Sequence, residues 1–452
     1  MGKNMKEQSA DLLIEEVAVV TMNESQDYFS DGYLAIRDGM ILKAGPMHEA
    51  SAWRAREKLS MKGCVAIPGF INAHSHIGMS FLRGQADDIR LYDFLDRTFP
   101  VLFQSDHEVV YLFALLACAE MLKSGYTTTV DIMEQLPATA AAVSKSGMRG
   151  KLSPNIVNFL DDTKTDRLLE ENIGYYEKYQ NSASGRIQID FNIHAPYSCS
   201  KQLMTKIKQA AQLRKADIHL HLSENLEEVS AIREKYSMTP TEYLDSLGIL
   251  GPDVLAAHFV QVTDHDIDLA RIRGIRVAHN PASNMKLASG FAPVAKLLKA
   301  GILVGLGTDS CVTNNRLDAF DTMKWTALIH KGNTQDATVL KASEVLNMAG
   351  AKGARSIGLD TIIGTLEAGK RADITFVRMD GKPHCTPWIK ERAENTISHL
   401  VYSMSPADVD MVMVDGNILV KHGKVIAFDE KLILKDAQKA GEKLLNKTLY
   451  AN

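Results

Sequence analysis

No stretch of about 18 apolar residues occurs in this 452-residue chain, so no transmembrane helix is expected. The amino terminus, MGKNMKEQSADLLIEE, lacks the apolar core of a secretory signal peptide. Cysteine is scarce: Cys64, Cys118, Cys199, Cys311 and Cys385 are odd in number and far apart, and none forms a C-x-x-C pair. That usage fits a reduced, cytoplasmic protein rather than a disulfide framework. The net charge of −4 offers no excess of either sign, which argues against general affinity for nucleic acid or an anionic membrane. Internal repeats and low-complexity segments are missing. No glycine-rich dinucleotide loop follows the first strong strand, which counts against a doubly wound nucleotide-binding sheet.

What remains is the composition of a large globular protein, 45% hydrophobic and 23% charged. The length exceeds one small core and suggests a barrel with an added module. Both chain ends read as short strands. Near the start, Leu12-Leu13-Ile14, Val17-Ala18-Val19-Val20 and Tyr33-Leu34-Ala35-Ile36 lead to an Asp38-Gly39 turn. Near the end, Ala372–Val377, Val409–Val414 and an Asp415-Gly416-Asn417 turn have the same texture. A small β-sandwich built from residues 1–67 and 365–452 is expected. The segment 68–364 is then inserted between its halves.

The middle alternates strand and helix. Strands are expected at 64–72, 126–133, 152–159, 187–194, 216–222, 253–260, 275–279 and 302–307. Ser105-Asp106-His107-Glu108 has the form of a capping box before an apolar helix reaching Leu122, and Gly125 ends it. Eight strands alternating with helices over about 240 residues suggest a (β/α)8 TIM barrel, an α/β fold.

Polar residues cluster where such a barrel keeps its chemistry, at the carboxyl ends of the strands. His74 and His76 end the first strand at i, i+2 spacing, so their side chains share one face. His194 ends the fourth. His219, His221 and Glu224 follow on the fifth, His258 on the sixth, His279 on the seventh and Asp309 on the eighth. Half of the 14 histidines lie at expected strand ends. Any one of them alone is more readily a solvated or hydrogen-bonded residue. Asp309 alone would pass for a helix cap, and Glu224 for an acid in a first helical turn. Together they point to a divalent metal such as Zn²⁺, Fe²⁺ or Mn²⁺. Three imidazoles and a carboxylate leave room for water, as a catalytic centre requires.

These motifs resemble the amidohydrolase superfamily. The matching segments are Pro68-Gly69-Phe70-Ile71-Asn72-Ala73-His74-Ser75-His76, His221-Leu222-Ser223-Glu224, His258, His279-Asn280-Pro281-Ala282-Ser283-Asn284-Met285-Lys286-Leu287, Gly307-Thr308-Asp309 and the tail from Gly364 to Asp373. The similar branch is that of the methylthioadenosine/S-adenosylhomocysteine deaminases and the triazine hydrolases. The resemblance implies one divalent metal on His74, His76, His221 and Asp309, zinc first and iron second. No lysine stands in the strand-four position that bridges two metals in dinuclear relatives; His194 stands there instead.

The implied activity is hydrolysis of a carbon–nitrogen bond other than a peptide bond. It would release ammonia from a small amino-substituted aromatic heterocycle of the cyclic amidine type, such as methylthioadenosine, S-adenosylhomocysteine or adenosine. Glu224, His258 and Asp309 are the implied catalytic groups; His194, Glu224 and His279 would contact substrate. A homo-oligomer is expected. The nucleoside deaminases carry a ribose-binding glutamate after a proline beyond strand one, whereas Phe99-Pro100-Val101-Leu102 has no acid. Losing a charged acceptor would weaken ribose binding by roughly 1.5–3 kcal/mol. Gln104 and Asp106 are the nearest polar substitutes. The alternatives are dechlorination or dealkylamination of an s-triazine and, remotely, a non-enzymatic scaffold that has kept its ligands.

Overall fold

In the computed structural model, which describes residues 8–448, the middle of the chain forms a (β/α)8 barrel. Its first four strands are Phe70–Ser75, Tyr126–Met133, Arg149–Pro154 and a strand broken at Asp190 into Ile187–Ile189 and Phe191–Ile193. Then follow Ile218–Leu222, Val254–His258, Arg276–His279 and Val304–Leu306. All neighbours pair in parallel. The lower half of strand four bonds to strand three and its upper half to strand five, so the ring is continuous across the break. The ring closes where the amide of Asp309 donates to the carbonyl of His74 at 3.0 Å and Ser75 bridges Asp309.

Two expected boundaries shift. The run 64–72 is two strands: Cys64–Pro68 joins the terminal sheet, and the barrel begins at Phe70. Gly69 is the crossing point. A Cβ there would lie 2.1 Å from Cγ2 of Thr127, so only glycine lets the chain pass so close to strand two. Strand three starts earlier than expected and ends at Pro154; the polar residues beyond it leave the sheet.

Both chain ends supply the second unit. One hydrogen-bonded sheet of nine strands draws five from residues 8–68 and four from 374–425. Leu34 and Ile41 from one end share a core with Phe376, Met411 and Met413 from the other, so the sheet wraps around its own apolar face. Burying each such side chain contributes about 1.5–3 kcal/mol. Arg149, on strand three of the barrel, ties the units together. Its guanidinium donates to Asp373 at 3.0 Å, in a buried ion pair, and to Asp415 at 2.9 Å, in a partly buried one.

Helix α1 (Leu91–Gln104) follows strand one and leads to α2 (His107–Lys123). The N-cap of α2 is Asp106, one residue later than the expected Ser105; its carboxylate accepts from the amide of Val109 at 2.9 Å. Alanines and leucines bury α2 against strand two and the helix Leu136–Ser146. Among the described residues, no single helix is long and apolar enough to cross a membrane.

Candidate active site

Parallel strands place the histidines at one mouth of the barrel, and fixed hydrogen bonds decide which nitrogen each presents. Nδ1 of His76 lies 2.8 Å from the carbonyl of Ile132, and Nδ1 of His221 lies 2.8 Å from the carbonyl of His194. A carbonyl only accepts, so both rings carry their proton on Nδ1. Their bare Nε2 atoms then face one another at 3.4 Å. Oδ1 of Asp309 lies 3.5 Å from Nε2 of both His74 and His76. Nε2 of His74 is buried without a hydrogen-bond partner.

Burial keeps His74 and His221 neutral. It lowers His74 to about 4 and His221 well below the usual histidine value. Burial alone would raise Asp309, but His74, His258 and His76 outweigh it and hold the acid well below the ordinary carboxylate range. Lone pairs and a negative charge facing each other without a donor repel, and a cation at their meeting point removes that repulsion. The donor set therefore fits a divalent metal. Two overlapping clusters could hold an ion, His74-His76-Asp309 and His74-His221-His258, with ligand atoms in each within 4.8 Å of one another.

The polar groups behind Asp309 fix its direction. Ser283 donates to Oδ2 at 2.5 Å and Thr313 at 3.1 Å, while the Ser310 amide donates to Oδ1 at 2.7 Å. Asp309, His258 and Ser223 all adopt left-handed backbone, with φ of 62°, 75° and 52°. Such conformations cost of order 1–3 kcal/mol each and persist where surrounding bonds over-determine them. The Phe259 amide, bonded to Leu222 at 3.0 Å, supplies one such bond beside His258.

Glu224 is buried, 3.8 Å from the His258 ring. Burial raises its carboxyl above the ordinary range, so it can carry a proton. Glu228 accepts from the amides of Ser223 and Glu224 at 3.0 and 2.8 Å and fixes the turn that presents Glu224. Burial pulls His258 down, but Glu224 and Asp309 outweigh it and the net shift is upward. Its Nδ1 lies 2.9 Å from Oδ1 of Asn284.

These residues open into a cavity of about 500 Å³ that includes its mouth. His76, His194, His221, Glu224, His258 and Asp309 all line it. His194 keeps Nδ1 on Ser198 at 2.7 Å, and burial lowers it to about 4. His279 was expected to contact substrate, but it does not line the cavity. Its Nε2 faces Nε2 of His330 at 3.1 Å, on the helix Ala319–Thr334. Gln104 and Asp106 also point elsewhere, into a groove against the C-terminal helix Glu430–Thr448. Leu102, on α1, is buried in the core.

The amidohydrolase family model matches residues 65–419, most of the chain. The protein belongs to the amidohydrolase family. It is 40% identical over 437 residues to a 5'-deoxyadenosine deaminase of Methanosarcina mazei, covering 96% of this chain and 99% of that one. A 5-methylthioadenosine/S-adenosylhomocysteine deaminase of Pelotomaculum thermopropionicum is 38% identical, covering 97% and 100%. Among solved structures, a zinc-bound adenosine deaminase from Xanthomonas campestris superposes with a TM-score of 0.91 at 29% identity, covering 97% and 99%.

Several site residues escaped the sequence. His219 receives no ligand or substrate role from the sequence, yet its Nε2 lies 2.9 Å from Nδ1 of His74. Ser283 and Asn284 lie in the His279–Leu287 motif, which by itself assigns them no role. Leu91, Phe94, Leu95 and Phe99 of α1 wall the cavity, although their helical spacing reads as ordinary core.

Proposed function

We propose that this amidohydrolase is a hydrolytic deaminase releasing ammonia from an amino-substituted aromatic heterocycle. The observation that carries the reading is the convergence of bare Nε2 atoms and Asp309 on one side of the cavity, with Glu224 and His258 beside them. The deaminase names of the relatives support it. His74, His76, His221 and Asp309 would hold one divalent metal, zinc first; the similar Xanthomonas structure has zinc bound. Such a cation supplies Lewis acidity that eases deprotonation of water.

The side chains divide the remaining work. His258 and Asp309 orient the attacking water and take its proton. Its oxygen bonds to the ring carbon that bears the amino group. Glu224 delivers a proton to the adjacent ring nitrogen, takes the remaining proton of the added hydroxyl and passes it to the departing amine, and the proton held by His258 and Asp309 then restores Glu224. The carbon–nitrogen bond breaks, ammonia leaves and a ring carbonyl remains. His194, neutral and bonded to Ser198 through Nδ1, directs Nε2 at the bound ring.

Ammonia release across adenine nucleosides, guanine-type purines, pterins and aminotriazines tests the reading, with metal content measured on the same protein. Ammonia from at least one ring, lost on chelation and restored by zinc, is the expected result. Release of chloride or an alkyl amine from a triazine, with no ammonia from any compound, would overturn it.

A further inference from the structure

The cavity is divided by polarity. Its charged groups, Glu224 and Asp309, lie at the floor with the histidines. Apart from Tyr197, Ser310 and Thr313, the rest of the lining is apolar: Met79, Leu91, Phe94, Leu95, Phe99 and Leu287. None of the lining residues is a lysine or an arginine. Two of the three hydroxyls in the lining are already engaged: Ser310 and Thr313 lie 3.1 Å apart, and Thr313 donates to Asp309 at 3.1 Å; the third is the phenol of Tyr197, which burial keeps neutral.

Arg90, at the start of α1, is exposed and does not line the cavity, and two cations behind the wall are committed elsewhere. Lys286, behind the loop that carries Ser310 and Thr313, bonds to Asp87, Asn315 and the carbonyl of Val312. Arg83 sits behind the same loop, 3.1 Å from Sγ of Cys311, and pairs with Glu120. The acids of α1, Asp93 and Asp96, are exposed on its outer face, as is Arg97.

We infer that the ring substituent accepted here is neutral and apolar, and that the wall of α1 rejects substrates whose substituent ends in a charge. The inference rests on the deaminase reading. A ring seated against the floor leaves its substituent among Leu91, Phe94, Leu95 and Phe99. An apolar tail there sheds water and gains contact. A carboxylate or phosphate would lose its hydration without gaining a cation from the wall. A zwitterionic tail faces the same loss at both of its charges.

Two matched pairs of probes test this through kcat/KM for ammonia release. The first is methylthioadenosine against S-adenosylhomocysteine. The second is an adenine carrying a butyl group on its ring nitrogen against the same compound ending in a carboxylate; it needs no ribose. In whichever pairs react, the charged member is expected to be roughly 100-fold poorer, and tenfold or more supports the inference. A difference below tenfold overturns it while the deaminase reading stands. If no compound in this or the wider panel yields ammonia, the deaminase reading falls and this inference falls with it.

Leu95 is half-buried, so an arginine there can reach solvent and the barrel can still fold. Leu95→Arg is expected to narrow the gap about tenfold by improving the charged substrate. An unchanged ratio in that variant would show that α1 does not sort the tails.

Discussion

Nε2 of His219 lies 2.9 Å from Nδ1 of His74, and both rings are fully buried. For Nε2 of His74 to offer a lone pair, its proton must sit on Nδ1, and His219 must accept it. His219 then carries its own proton on Nδ1, which has no partner in the barrel interior. That unsatisfied donor is a cost borne beneath the site, and it fixes the tautomer of a metal ligand.

Removing this acceptor should weaken metal binding by roughly 10–100-fold. His219→Leu is expected to do so in a zinc competition titration. His219→Gln, whose amide oxygen can accept from His74, should recover much of the affinity. Equal affinities in the two variants and the parent would show that His219 only fills space.

His221→Ala should be purified without metal and without activity. His258→Asn should retain most of its metal while losing turnover by about 10²–10⁴-fold, because its role is assigned to the attacking water. Metal analysis of both variants decides this. A metal-free His258→Asn would place His258 among the ligands, where its contact with His74 and His221 also permits it to sit.

Glu224→Gln should keep its metal and lose about 10²–10⁴-fold in kcat. The amide is nearly isosteric but cannot shuttle the proton. Substrate KM should change little. Unaltered turnover would remove Glu224 from the chemistry.

Glu228 gives a stability signature that can be read by pH. Burial raises its carboxyl to about 7 from an ordinary 4.5. A raised acid favours the folded state fully below its unfolded value, and that contribution fades as pH rises through the folded value. The Tm of the parent minus that of Glu228→Gln should therefore fall between about pH 5 and pH 8. A difference that stays flat, or rises with pH, would contradict the assignment.

The alternation of strands and helices was legible because periodicity and turn residues are local properties. The reading blurred where one apolar run served two sheets: nothing in Cys64–Phe70 announces that Gly69 passes between them, since the reason is the nearby Thr127 side chain. His279 shows the same limit at the site. It ends a barrel strand as expected, but alternate residues of a strand face opposite ways, and its ring meets His330 from a helix 51 residues on.

By itself the sequence determined that His74, His76, His194, His221, Glu224, His258 and Asp309 would meet. A parallel barrel brings every strand end to one mouth, so position along the chain was enough. Only the tertiary structure decided which nitrogen each histidine presents, because the deciding acceptors are Ile132, His194 and His219, distant in sequence. It also decided what the cavity wall is made of. The stripe Leu91, Phe94, Leu95 and Phe99 has the spacing of any buried helix face, and whether such a face meets protein or substrate depends on what the fold sets opposite it.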